Sequence, residues 1–402
     1  MNHKARLALG FLLSVAWIGI AGTRGLAAQL VPLGPEVDLL ANTWPGEPFL
    51  AVQPGGAYMV AWDEEAPAVV SYHYVAAGDT PKEDWPTWIE FEDHVPIVDA
   101  VTAARQGFDV LWHEQQIVDE KPTAFYRQHL TLQGVPDGQP IRLGGPGTEW
   151  VWLVRGNGFM AGWALPRKHG IVARRLSSSG QRVGPEIRLN SRPIDRSKPF
   201  VLAVADGGFL AVWRGAVPGP TPTAVLRARR FSPAGKPLGP DFDVNTTPLG
   251  VVGTEPYVDP DFKVAAAPGG GFAVGWMLAD RIYLRFFNAA GTALGPEIPA
   301  VKSKDLDLLD SPQSMAFDKA GNVLLLWSDY YHEDLRLRLF DPHGAPLGPP
   351  VGVRSEASDI FDAPWGGSVA WAGNSWLVAW AAAGASSYDF STVFVRRFAQ
   401  KP

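Results

Sequence analysis

The sequence predicts an all-β protein built from one four-stranded unit used seven times. Three observations carry that prediction: a motif ending in tryptophan at nearly constant spacing, apolar residues alternating with period two, and a composition rich in turn formers. The motif is a Gly-containing turn followed by an alternating apolar run. It is seen in Asp206-Gly-Gly-Phe-Leu-Ala-Val-Trp213 and Gly269-Gly-Gly-Phe-Ala-Val-Gly-Trp276. Its seven copies end at Trp62, Trp112, Trp163, Trp213, Trp276, Trp327 and Trp380, with spacings of 50, 51, 50, 63, 51 and 53 residues. The 43 glycines and 36 prolines supply the turns that many short strands need. Disorder is excluded as their cause, because 46% of the chain is apolar and the apolar residues alternate regularly. Beyond the N-terminal segment no stretch keeps a period of 3.6 over 11 residues, so helix is expected to be nearly absent.

A second element follows each tryptophan. It reads Leu226-Arg-Ala-Arg-Arg-Phe231, Ile282-Tyr-Leu-Arg-Phe-Phe287, Leu335-Arg-Leu-Arg-Leu-Phe340 and Val393-Phe-Val-Arg-Arg-Phe398. A two-glycine turn and a last short strand come next, as in Gly235-Lys-Pro-Leu-Gly-Pro-Asp-Phe-Asp-Val-Asn245. Each unit is therefore four strands, A to D. Such a unit cannot cover both of its faces alone, and stacking around a closed ring does so without end caps. Four-stranded antiparallel units repeated about every 50 residues are the pattern of propeller blades, so the fold expected is a seven-bladed β-propeller. The termini suggest how the ring closes. The seventh unit stops at Phe398 after its third strand, and Leu33-Gly-Pro-Glu-Val-Asp-Leu39 reads as a fourth strand without its first three. The N-terminal strand should complete the C-terminal blade. The units resemble short repeats found in many secreted and surface proteins of bacteria, through their Gly-Gly-Phe-x-Val-x-Trp and Arg-Phe…Gly…Leu-Gly-Pro-Glu hairpins. That resemblance implies the fold and says little of activity.

The N-terminal segment has the layout of a signal peptide. Lys4 and Arg6 precede an apolar run from Leu7 to Gly22, and Gly25-Leu26-Ala27-Ala28 offers a cut after Ala27 or Ala28. The run is short for a membrane-spanning helix, which needs about 20 residues. Residues 1–28 are expected to be removed, leaving 29–402 as one propeller domain, secreted or periplasmic and not inserted in a membrane. The chain has no cysteine, so burial rather than disulfides must stabilise it. Removing Lys4, Arg6 and Arg24 from 35 basic residues leaves 32 against 41 acidic ones, a net charge of −9. With no basic cluster, nucleic acid is a poor partner.

The residues that suggest chemistry mostly have structural readings. The repeated tryptophans should pack between blades, and the paired arginines before Leu176, Phe231 and Phe398 should pair with Asp or Glu near blade edges. His113-Glu114-Gln115-Gln116-Ile117 departs from the zinc-protease pattern at its last position, and a strand cannot put two ligands on one helical face. No hydrolase elbow, phosphate loop or calcium loop is present. Asn245-Thr-Thr matches a glycosylation sequon by chance.

Variation in the loops points to one face. The A–B and C–D turns are short and mostly alike, whereas the B–C and D–A connections vary, and strand alternation puts those on one face of the disc. Binding is usually carried by variable loops on a rigid scaffold. Trp44, Tyr257, Tyr330, Tyr331 and Trp365 gather there, with Tyr388, as candidate ligand contacts. The reading that follows is a non-enzymatic module binding a protein or a glycan. The alternative is an enzyme acting on a polysaccharide or glycoside through carboxylates at the channel mouth. A purely structural envelope role is the third. At the starts of the A strands Glu47, Asp93, Glu149, Asp261, Asp310 and Asp362 form an expected acidic rim, broken in blade four by Lys198. Such a rim could hold Ca2+, which takes six to eight oxygen ligands; the competing reading is a set of solvated loop acids.

Overall fold

The computed structural model describes residues 29–401 except 42–44, 66–67, 80, 82–85, 92–93, 105, 116–121, 145–148, 157, 166–169, 178, 180, 193, 195–199, 205, 252–261, 280, 303–310, 330–333, 355–363 and 384–390. Among the described residues there is no helix, and the strands form seven antiparallel sheets. Sheet one is Phe49–Val52, Tyr58–Glu65, Ala68–Val75 and Thr87–Glu90. Sheet two is Val95–Ala104, Gly107–Gln115, Pro122–Leu130 and Ile141–Gly144. Sheet three is Glu149–Gly156, Gly158–Leu165, Gly170–Leu176 and Arg182–Arg188. Sheet four is Phe200–Ala203, Phe209–Val217, Thr223–Phe231 and Phe242–Asp243, with Gly250–Val251 added to its third strand. Sheet five is Phe262–Ala266, Phe272–Leu278, Arg281–Phe287 and Ile298–Lys302. Sheet six is Pro312–Phe317, Val323–Asp329, Asp334–Phe340 and Val351–Gly352. Sheet seven has Trp365–Trp371, Trp376–Ala383 and Ser391–Lys401 from the C-terminal end of the chain. Along the main path of sheets one to six, neighbouring strands are also neighbours in sequence, joined antiparallel.

The fourth place in sheet seven is taken by the N-terminal segment. Gln29–Pro32 pairs antiparallel with Lys401 to Phe398, and Val37–Asp38 pairs with Val395 and Phe394. The pairing includes Gln29–Pro32, ahead of the strand expected at Leu33, continues with the Leu33 N–H donating to Arg397 O, and is interrupted at Gly34–Glu36. The N–H of Leu39 donates to Val393 O, as those of Leu189, Val244 and Val353 do to Ile171, Leu226 and Leu335 in sheets three, four and six. The N-terminal segment thus makes the bonds of a fourth strand although it lies more than 350 residues from its partner.

Packing runs from sheet to sheet. Each first strand lies beside the first strand of the next sheet, and Trp365–Trp371 lies beside Phe49–Val52. The repeated tryptophans sit in these seams. Trp112 shares a core with Met59, Val70 and Tyr72 of sheet one, and Trp213 with Met160, Ile171 and Ala173 of sheet three. Trp276 packs on sheet four, Trp327 on sheet five and Trp380 on sheet six. Trp62 packs with Leu377, Ala379, Ala381 and Val393 of sheet seven. All six are at most 2% exposed; the side chain of Trp163 lies outside the described residues.

Each of the three arginine pairs includes one that meets an acid, as expected, and a repeated arginine has a further task. Arg229, Arg285, Arg338 and Arg396 stand two residues before a phenylalanine, on the same strand face, with the guanidinium 5.6–5.8 Å from that ring's centre. Each Nε donates to the turn glycine of the fourth-strand hairpin: Gly239, Gly295, Gly348 and, in sheet seven, Gly34. Each Nη1 donates to a carbonyl of the preceding sheet's fourth strand or its end: Leu189, Val244, Ala300 and Val353. One side chain therefore ties its own hairpin to the sheet before it. Gln128 makes the first of these bonds in sheet two, donating to Gly138 O. The acid pairing is that of Arg174 with Glu186 at 3.6 Å, Arg230 with Asp206 at 2.5 Å and Arg396 with Glu36 at 3.7 Å.

The acid of the Gly-Pro-acid turn has a matching task. Asp241 accepts Ser191 Oγ and N and Arg192 N and Nε from sheet three's end. Glu297 accepts from both Thr246 and Thr247 at sheet four's end. Asn245 is 2% exposed, with Oδ1 accepting Leu226 N and Nδ2 donating to Thr247 O, so its sequon is a structural cap.

This packing predicts the effect of two substitutions. Trp213→Ala should cost about 3–5 kcal/mol in denaturant unfolding, because it opens a cavity in the seam between sheets three and four. Leu238→Ser, at a turn position 57% exposed, should stay within about 0.5 kcal/mol of the parent.

Candidate functional site

The antiparallel registers bring the starts of first strands and the ends of second strands to one end of each sheet. Pro45 bridges Glu64, and Val95 pairs with Gln115. The variable loops leave from that end. Around the first strands, backbone is tied to side chains across sheets. Leu50 N donates to Ser368 Oγ and Val369 N to Ser314 Oγ, each at 3.2 Å, linking sheet one to seven and seven to six.

Glu47 is the rim acid whose side chain is described. It leads into the first strand of sheet one, and its Oε1 lies 3.7 Å from Nζ of Lys263 in sheet five. The pair spans two sheets that are not neighbours in the series. Gly366 of sheet seven makes room for it: its φ is +56°, and a Cβ there would come within 3.1 Å of the Glu47 backbone and side chain. Among the described residues no group of three or more His, Asp or Glu could hold a metal ion.

The other expected residues are distributed as follows. Glu149 opens the first strand of sheet three opposite Ala164, and Trp365 opens that of sheet seven opposite Ala381; both side chains lie outside the described residues. Trp44, Tyr257, Tyr330, Tyr331, Asp261 and Asp310 lie outside them altogether, as do Asp93, Asp362, Lys198 and Tyr388. The base of the loop bearing Tyr330 and Tyr331 is defined. Asp329 and Asp334 face each other as a cross-strand pair, with Arg336 Nε 3.1 Å from Asp329 and Arg354 Nε 3.6 Å from Asp334. Burial pushes the Asp334 carboxyl up to about 6, against the lowering pull of Arg354, Arg336 and two backbone N–H groups.

Sequence reasoning missed two contacts at this end. Asp63 and His113 each directly follow a repeat tryptophan, and Asp99 is the extra residue at a register shift between Val98 and Ala100. His113 Nδ1 lies 2.9 Å from Asp99 Oδ2, with the side chains 12% and 7% exposed. Asp63 Oδ1 accepts Val98 N at 2.9 Å across the seam. The available signal was position: the residue after the fixed tryptophan is charged or titratable in units one, two and four (Asp63, His113, Arg214) and uncharged in the others. His113 and Glu114 lie on the strand Gly107–Gln115, which agrees with setting aside the zinc-protease motif.

No family model and no curated protein matches this chain. Among solved structures, it is similar to a protein of unknown function from Dyadobacter fermentans at 12% identity, over 92% of this chain and 99% of that one, with a TM-score of 0.46. It is also similar to a calcium-binding protein, regucalcin, from Agrobacterium tumefaciens at 10% identity, over 92% and 95%, with a TM-score of 0.42. A third is prolyl oligopeptidase B from Galerina marginata, at 9% identity and a TM-score of 0.46; 86% of this chain matches about half (49%) of that one. Similarity at this level carries neither site residues nor activity to this chain.

The Glu47–Lys263 pair predicts a small effect on stability. A double-mutant cycle with Glu47→Gln and Lys263→Gln should return a coupling of about 0.2–1 kcal/mol, reduced at ~1 M salt, because both groups are partly exposed. Zero coupling at low salt would show that the pair is not held in solution.

Proposed function

We propose that the chain is a secreted seven-bladed β-propeller, closed by its N-terminal strand, that binds a protein or a glycan without catalysis through the face carrying the B–C and D–A loops. The observation that carries the fold is the position of the N-terminal segment. It fills the fourth place of sheet seven, and sheet seven packs on sheet one through Trp62 and Leu377. Cleavage near Ala27 or Ala28 is part of this reading and rests on the sequence layout of residues 1–28. The binding face is supported by contrast between the two ends. At one end, turns repeat the same bonds, as in Ser232 N to Lys236 O and Asn288 N to Thr292 O. At the other, the connections differ in length and carry the aromatics Trp44, Tyr257, Tyr330, Tyr331 and Trp365. Aromatic rings on a fixed base give large contact area with little ordering cost. The rim acids Glu47, Glu149, Asp261 and Asp310 leave Ca2+ as an accessory ligand, with Lys263 opposing it at Glu47.

The test uses the mature chain, residues 29–402, on glycan and protein arrays. Tyr330→Ala/Tyr331→Ala should weaken any specific signal at least tenfold, about 1.4 kcal/mol, with the melting temperature unchanged; Leu238→Ser should not weaken it. An unchanged signal would move the binding site elsewhere, and release of reducing ends from a bound glycan would favour the glycosidase alternative. Calcium titration followed by calorimetry and melting tests the rim: neither heat nor stabilisation at about millimolar calcium would remove the metal.

A further inference from the structure

We propose that the B–C connection of sheet four is a protein-docking finger, whose three prolines seat in an uncharged, aromatic-lined groove of a partner protein. The inference rests on the binding face proposed above and names an element of that face that recognises protein. Val217 and Thr223 are the last paired residues of the hairpin, and Pro218-Gly-Pro-Thr-Pro222 joins them. All the joining residues are exposed.

The hairpin is built to project. Its second strand ends four residues after the repeat tryptophan, at Val217 after Trp213, whereas the second strands of the other sheets end two or three residues after theirs. Both flanks of the projecting part are covered. On one side Ile194 bridges Gly215, and Ile194 is itself buried in the core between sheets three and four. On the other side Gly250–Val251 pairs with Ala224 and Thr223, and Leu249 N donates to Ala224 O at 2.8 Å. The base is locked from within. Arg227 donates through Nη1 to Ala216 O and through Nε to Asp243 Oδ1, each at 3.1 Å. A Cβ at Gly215 would fall 2.8 Å from Arg227 Cδ and Nη1, so the glycine lets the guanidinium lie against the strand. A two-stranded ribbon alone is marginally stable in water. Here segments on both edges hold the ribbon, and the tip is presented on a fixed base.

The chemistry of the tip selects the partner. From Gly215 to Leu226 no residue is charged, none is aromatic and none carries a side-chain amide. The tip therefore offers a sugar neither a ring to stack on nor a strong polar group. Its prolines stand at alternate positions, so only Gly219 and Thr221 of the joining residues carry a backbone N–H. Strand addition needs an unbroken row of N–H and C=O groups, which the tip lacks. What it does offer is three pyrrolidine rings with φ fixed near about −65°, which lose little freedom on docking. Proline-rich segments are bound for this reason in grooves lined with aromatic rings.

The experiment applies the mature chain, residues 29–402, to an array of the source organism's secreted and surface proteins and to a glycan array. Pro218→Ala/Pro220→Ala/Pro222→Ala should weaken a protein signal at least tenfold and leave glycan signals unchanged. Thr221→Glu keeps the prolines and sets a charge among them, so it should weaken the same signal, and it carries the test if the triple variant does not fold. The parent's signal should persist at ~1 M salt, because no charge takes part. Absence of any protein signal that falls in the tip variants overturns the finger, as does loss of the parent's signal at high salt. A glycan signal lost with the prolines overturns the choice of a protein partner. If Tyr330→Ala/Tyr331→Ala weakens a signal that both tip variants keep, the finger fails while the binding face stands. A signal kept by all three variants removes both.

Discussion

The structure depends on one repeated contact: an arginine on the third strand that lies over its own phenylalanine and donates to two backbone carbonyls in different sheets. A sheet four strands wide has an exposed outer edge and two apolar faces. Hydrophobic packing between sheets is strong but non-directional, and it fixes neither register nor spacing. Arg229, Arg285, Arg338 and Arg396 supply direction. Each holds the outer hairpin by a glycine carbonyl and holds the previous sheet by a carbonyl at the end of its fourth strand. Charge-assisted bonds of this kind are roughly twice as strong as neutral ones, and here they are shielded by an aromatic ring.

The same contact explains why the N-terminus belongs with the C-terminus. In sheet seven the carbonyl that Arg396 needs comes from Gly34, in the Leu-Gly-Pro-Glu run that elsewhere follows the third strand. Glu36 stands where Asp241 and Glu297 stand in their turns, and it lies against Arg396. A segment at the start of the chain thus completes the last unit by using the repeat's own chemistry. With the outer edges held this way, the end bearing the unlike loops is free to vary without disturbing the seams.

Much of this was legible in the sequence. The tryptophan spacing marked seven units, the period-two runs marked their strands, and the mismatched termini marked a completing strand at Leu33–Leu39, where the pairing in fact begins at Gln29. The role of the arginines was not legible, because their acceptors are main-chain carbonyls that no residue type announces. The Asp99–His113 contact was hidden for a related reason. Asp99 and His113 are 14 residues apart and meet at a one-residue register shift, which the sequence does not announce. Rim acids could be counted along the chain, but the partner of Glu47 could not be foreseen, since Lys263 lies more than 200 residues away in a sheet that is not its neighbour.

The central claim is that the N-terminal strand closes the assembly, and the most direct measurement is the melting of a chain lacking residues 29–41 beside the chain that begins at Gln29. The deletion removes the pairing with Ser391–Lys401, the Gly34 carbonyl of Arg396 and the buried Leu39. It leaves an unpaired edge on sheet seven, which invites association with other chains. The shortened chain should melt at least ~5 °C lower and aggregate. Melting within about 2 °C of the longer chain, with no change in association, would contradict it.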